Sequence, residues 1–250
     1  MQSNAVQKSD VAIGAGRSTV TKGYAERLTS DQLRGRAVAL AECFPSFSTI
    51  STDFVDDNIR TWGEIGFPDG ASDIRPFLRR GTLANDYEHE VECVMDALKM
   101  VGVMKYTWGS EHYQYLRPEP KTVLMLHELE RIQRGSIIFI PVDLSGRHTG
   151  TSAHDARHFL ADREFGFGTL EGACSLLSQR HELPQKGLRL MCIGDTYNPP
   201  SAGPDRRRVT TFSHEEHEPS SKGKIFFSRQ HIEDVDRSNP WMIPTGFAPQ

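Results

Sequence analysis

The chain has 250 residues, 37% of them hydrophobic, with 29 Lys+Arg against 33 Asp+Glu and a formal net charge of −4. That length supports one large domain with a buried core, and the charge balance leaves no basic stripe of the kind that marks a nucleic-acid footprint. No apolar run is long enough to span a membrane, and no charged segment followed by an apolar one opens the chain, so neither nucleic acid nor membrane is an expected partner.

Residues 1–21 are rich in Ser, Thr, Gly, Gln and Asn and read as a flexible tail. Within them Val11-Ala-Ile-Gly14-Ala-Gly16 mimics the start of a dinucleotide-binding loop. Thr19 stands where the third glycine belongs, and Gly23 interrupts any following helix, so the strand–turn–helix context is missing. Residues 22–250 are expected to form the domain. Thr29 and Gln32 have capping-box spacing and open a helix carrying Leu33, Ala37, Val38, Leu40 and Ala41, which ends near Phe44-Pro45. Asp53, Asp56 and Asp57 offer carboxylates to a hard cation. Without further ligands they read instead as a polar helix start, with Val55, Ile59 and Trp62 turned inward.

Asn85 is the expected cap of the next helix, whose Val91, Val94, Met95, Leu98 and Val101 follow helical spacing. His89 and Cys93 share a face of it, but two ligands are too few for a structural metal site, and packing is the expected role. Met104–Trp108 and His112–Leu116, joined by Gly109-Ser-Glu, read as a β-hairpin. Thr122–Leu126 is apolar and reads as a possible strand, while the HELERIQR segment that follows could equally be helical, with the boundary between them open. Ile137–Val142 is a near-continuous apolar run with β-branched and aromatic residues, the pattern of a strand buried on both faces.

After a loop over 143–150, Ser152 with Asp155 resembles a capping box with the shorter acid, and Ala153, Ala156 and Leu160 supply the apolar face of a helix. That helix carries the one chemically suggestive word in the chain, His154-Asp-Ala-Arg-His158. Histidines at i and i+4 can place two imidazoles on one metal ion such as zinc, and His148, Asp143 or His181 could supply a third ligand. Zinc proteases carry Glu after the first histidine as general base. Here the position holds Asp155, one methylene shorter, which makes Asp155 the candidate catalytic base of a variant motif. The competing reading is the polar outer face of an amphipathic helix.

Thr169 is the expected cap of a further helix with Ala173, Leu176 and Leu177, closed by Pro184. Leu188–Ile193, Val209–Phe212 and Lys224–Ser228 read as strands, and His214 and His217 fall in a solvated tip between the last two. The aromatic segment Asn239–Phe247 should pack back on the domain. Cys43, Cys93, Cys174 and Cys192 have no CxxC spacing, which argues for reduced thiols and a cytoplasmic location. Without regular βαβ alternation, the expected fold is α+β with a mixed or mainly antiparallel sheet.

Lys22-Gly-Tyr24, Leu28-Thr29, Phe139-Ile-Pro-Val-Asp143, Gly168-Thr-Leu-Glu-Gly172, His181-Glu-Leu183 and Asn239-Pro-Trp241 together resemble an uncharacterised bacterial domain-of-unknown-function family, number 5701. That resemblance implies no catalytic residues. Two functions therefore stand as expectations. The first is a small-molecule- or partner-binding accessory module, for which Trp108, Tyr113, Tyr115 and Trp241 could serve a pocket or the core. The alternative is a zinc-dependent hydrolase using His154, His158, His148 and Asp155. No GxSxG or Walker A motif points to a third.

Overall fold

A computed structural model describes residues 29–107, 110–144, 147–181, 189–199, 203–205, 208–214, 225–231 and 241–249. The tail expected at 1–21, Trp108 and the turn carrying His217 lie outside the described residues.

The order is α1 (Ser30–Ala41), α2 (Val55–Ile65), β1 (Asp73–Leu78), α3 (Tyr87–Met100), β2 (Met104–Thr107), a 3-10 turn (Ser110–Tyr115), β3 (Leu116–Pro118) and α4 (Pro120–Ile132). It continues with β4 (Ile137–Asp143), α5 (Ala153–Phe159), β5 (Glu164–Gly166), α6 (Thr169–Ser178), β6 (Arg189–Cys192), β7 (Asp195–Tyr197), β8 (Arg208–His214), β9 (Ile225–His231) and β10 (Thr245–Phe247). The fold is α+β. One sheet runs β1-β4-β10-β5 and is antiparallel throughout. A second runs β2-β9-β8-β6 with one parallel pair, β2 with β9, and β3 pairs antiparallel with β7.

All seven residues of β4 are buried, as their unbroken apolar run requires. Pro141, which has no N–H to donate, pairs with Ile74 of β1 and lies just outside Val142 and Asp143, the two residues that pair with β10. Helices α1 and α6 pack on β1, α2 packs on β4, and α3 packs on α6. Trp62 of α2 is fully buried and donates its indole N–H to the Phe139 carbonyl at 2.9 Å, so the largest side chain of that helix joins the core without stranding its polar atom.

Four local expectations are corrected. Residues 104–116 form no hairpin: β2 pairs with β9 from far along the chain, residues 110–115 turn as a 3-10 helix, and β3 finds β7. Alternating short segments carry no information about which strand they will meet. The cap of α3 is Asp86, whose carboxylate accepts the His89 N–H at 3.0 Å, one residue beyond Asn85. The cap of α6 is Gly168, with Thr169 as the first helical residue. The strand read at 122–126 is part of helix α4: Pro120 occupies the first turn, where its missing N–H costs nothing, and Thr122, Met125, Leu126 and Leu129 form one buried stripe.

Candidate functional site

Helix α5 is built as the sequence suggests. The Ser152 hydroxyl accepts the Asp155 N–H at 3.0 Å. Ala153 and Ala156 are fully buried among Met191, Ile193, Val209, Trp241 and Ile243, a small second core beside the main one. Arg157 turns inward too, donating to the carbonyls of Ile193 at 2.8 Å and Asp195 at 2.7 Å. With three positions fixed inward, His154, Asp155, His158 and Phe159 face outward and are exposed. The two imidazoles lie one above the other, ring centroids 4.4 Å apart. His158 Nδ1 is 2.8 Å from the His154 carbonyl oxygen. That oxygen can only accept, so the proton sits on Nδ1 and Nε2 carries the lone pair. Asp155 follows His154 directly and is turned ~100° around the helix, away from the pair.

The third ligand does not join them. His148 is 6% exposed, and its Nε2 lies 3.0 Å from Glu164 Oε1. Asp143 is buried and accepts from the Ser72 hydroxyl, and His181 is exposed just beyond α6. Among the described residues no group of three His, Cys, Asp or Glu side chains could hold a metal ion together. His148 is withdrawn for a physical reason: Glu164 is 0% exposed and requires donors. Arg147 Nη2 at 2.5 Å and the Ala161 N–H at 3.1 Å serve one carboxylate oxygen, while His148 and the Thr245 hydroxyl at 2.8 Å serve the other. Burial pushes the Glu164 carboxyl up, but these donors together hold it below the ordinary range.

A second buried carboxylate sits at the start of α6. Asp195 Oδ2 accepts the Thr169 N–H at 2.6 Å and Oδ1 accepts the Tyr87 hydroxyl at 2.6 Å. Glu171 is its acidic neighbour. It accepts the Gly168 N–H at 2.9 Å and pairs with Arg80 at 3.0 Å, and the Arg80 guanidinium lies over the Tyr87 ring at 4.8 Å. Burial, then the Glu171 charge, push the Asp195 carboxyl up to about 6 despite the hydrogen bonds from Tyr87 and Thr169. The centre is closed tight at Gly168. A Cβ there would meet the Tyr87 hydroxyl at 2.7 Å and Glu171 Oε2 at 2.8 Å, and would lie closer still to Asp195 Oδ1.

Space for a ligand lies elsewhere. A pocket of about 280 Å³ is lined by Cys43, Phe44, Pro45, Ser46 and Phe47 from the turn after α1, and by Cys93, Asp96 and Met100 from α3. Spacings of three and four put the last three on one helical face. Phe44 and Phe47 meet edge to face with centroids 6.2 Å apart. Cys43 forms part of the buried floor, donating to the Ala39 carbonyl and receiving the Arg180 guanidinium at 3.3 Å. Met100 is 72% exposed at the mouth. Burial pushes both thiols up, so the pocket presents protonated, weakly nucleophilic sulfur.

Cys93 therefore works with this turn rather than with His89, whose ring bonds Asp86. Asp56 and Asp57 are ion-paired with Arg34 and Arg60. Tyr113 and Trp241 belong to the core. Sequence reasoning missed both buried acids. At Asp195 the available signal was an acid directly after the apolar run Met-Cys-Ile-Gly, whereas Glu164 closes the charged stretch Asp162-Arg-Glu164 and carries no comparable mark. Comparison with protein-family models, curated proteins and solved structures gave no match.

Proposed function

We propose that the chain is a small-molecule-binding module whose ligand lies between the turn after α1 and α3. The observation that carries this reading is the pocket itself: two aromatic rings, two thiols and a thioether around about 280 Å³, with one carboxylate at the rim. Binding sites are mostly apolar concavities with few polar groups. A flat, mainly apolar molecule suits this lining, and the raised thiols favour reversible over covalent capture. The alternative of a zinc-dependent hydrolase draws less support. Its two outward histidines gain neither His148 as third ligand nor a base at Asp155.

The test is a panel of neutral aromatic compounds, read by thermal shift and by protection of Cys93, which is half-buried, from a thiol reagent. Compounds that bind should shield Cys93, and Phe47→Ala and Met100→Glu should each abolish the shift. Shifts that persist in both variants with Cys93 unprotected would remove the proposal.

A further inference from the structure

Independently of the pocket, we infer that His154 and His158 form a two-imidazole chelate for a single borderline transition-metal ion of the Zn²⁺ or Ni²⁺ class. Imidazole is the ligand that suits these ions. Three features of the structure add to the i and i+4 spacing.

The rings are already adjacent, 4.4 Å between centroids, so the ion would not have to gather two wandering side chains. The backbone has chosen the tautomer: His158 donates from Nδ1 to the His154 carbonyl at 2.8 Å, and Nε2 is left as the free lone pair. A ligating histidine characteristically anchors its other N–H in this way, on a carbonyl or carboxylate, which fixes ring orientation and raises ligand basicity. The helix beneath is held from behind by Ala153 and Ala156 in the second core and by Arg157 on two carbonyls. The chelate thus stands on a rigid face and not on a loop.

Both rings are exposed, and two protein ligands leave the remaining positions of a tetrahedral ion to water or to an incoming donor. Asp155, turned to the side, and His148, spent on Glu164, are not part of the site. Such a site is a dock for an ion and its exchangeable ligand, and it needs no third protein donor.

The experiment titrates Zn²⁺ alone into the untagged full chain and follows retention of the same protein on a nickel-chelate column. His154→Ala, His158→Ala and the double variant are compared with His181→Ala, an exposed histidine outside the pair, and with Cys93→Ser, which tests the half-buried thiol as an unintended ligand. Wild type, H181A and C93S should bind one ion per chain with the same affinity. Each single pair variant should lose more than the ~10–100-fold that removal of an outer hydrogen-bond partner costs a metal site, and the double variant should leave the nickel column in the void. Both positions are exposed, and unchanged far-UV circular dichroism separates loss of binding from loss of fold. No saturable binding by wild type at micromolar Zn²⁺, or equal binding by the double variant, overturns the inference.

Discussion

Glu164 and Asp195 are both buried carboxylates within the same core, and they are held in opposite ways. Glu164 is surrounded by donors, two of them on cationic or titratable side chains: Arg147, His148, the Thr245 hydroxyl and the Ala161 N–H. Asp195 has a phenol and a backbone N–H, but its nearest charged neighbour of like sign is Glu171. The first carboxyl is held below the ordinary range, and the second is pushed up to about 6. Both side chains are closed off from solvent, at 0% and 2% exposure, and burial pushes both carboxyls up. Only around Glu164 do the donors outweigh it; at Asp195 the Glu171 charge adds to it.

The sharpest way to break the comparison is to remove Glu164. Glu164→Ala strands His148 and leaves Arg147 without its carboxylate. Arg147 is 42% exposed and can turn to water, but the His148 ring and the Thr245 hydroxyl are buried and lose their acceptor, at ~1–3 kcal/mol for each donor left unsatisfied, read as a lower urea midpoint at pH 7. A midpoint close to wild type would mean that the donors around Glu164 relax to water freely. Acid should mimic this mutation in part. Because the folded-state value is depressed, the stability Glu164 contributes is present above the unfolded value of ~4.3 and is lost as pH falls through the folded one.

Asp195 should show the reverse sign. Its folded value lies above the unfolded ~3.9, so the folded protein binds the extra proton between ~4 and about 6. Its stabilising contribution is complete below ~4 and is lost as pH rises through about 6, a swing of ~3 kcal/mol for two units. Asp195→Asn removes the titration. Its cost relative to wild type should therefore shrink by roughly that amount between pH 4 and pH 8 in paired denaturation curves. A cost that does not depend on pH would show that folding leaves the Asp195 titration unshifted, and a cost that grows with pH would give Asp195 the same sign as Glu164.

Smaller effects test how tightly the Asp195 centre is closed. In Gly168→Ala the new methyl group must displace Tyr87, Glu171 and Asp195 oxygens together, and overpacking of this kind costs ~1–3 kcal/mol. Thermal unfolding measures it, and a neutral Ala would mean that the knot is looser than its distances. Smallest is Tyr87→Phe. Loss of one hydroxyl hydrogen bond costs ~1 kcal/mol and should move the Asp195 titration upward, since the Tyr87 bond favours the charged form. A downward move in the same pH series would contradict the assignment of Tyr87 as donor.

The features legible in the sequence were those written locally. The Thr29–Gln32 capping box, the buried run of β4 and the inward alanines of α5 each follow from residues a few positions apart. The i and i+4 spacing of His154 and His158 also survived, because a helix face is a local object. What could not be read was partner choice. Met104–Thr107 meets a strand more than a hundred residues later, and His148 is captured by Glu164 across the loop and α5. The pocket needs the turn at 43–47 to lie on α3, a juxtaposition that neither segment encodes alone.

Strand β10 has a consequence for how the chain comes to be folded during synthesis. Thr245 and Gly246 fill the place between β4 and β5, and the Thr245 hydroxyl completes the donor set of Glu164. A Cβ at Gly246 would stand 2.6 Å from the Phe165 ring and 2.9 Å from Ile140, so the strand fits between its neighbours only with glycine at this position. A ribosome makes β4 and β5 well before β10. Until residues 245–247 follow, β4 and β5 lack the strand that joins them and Glu164 lacks its Thr245 donor. The sheet is therefore completed only after both neighbours of β10 have been made, and their unpaired edges are what a chaperone has to shield in the interval.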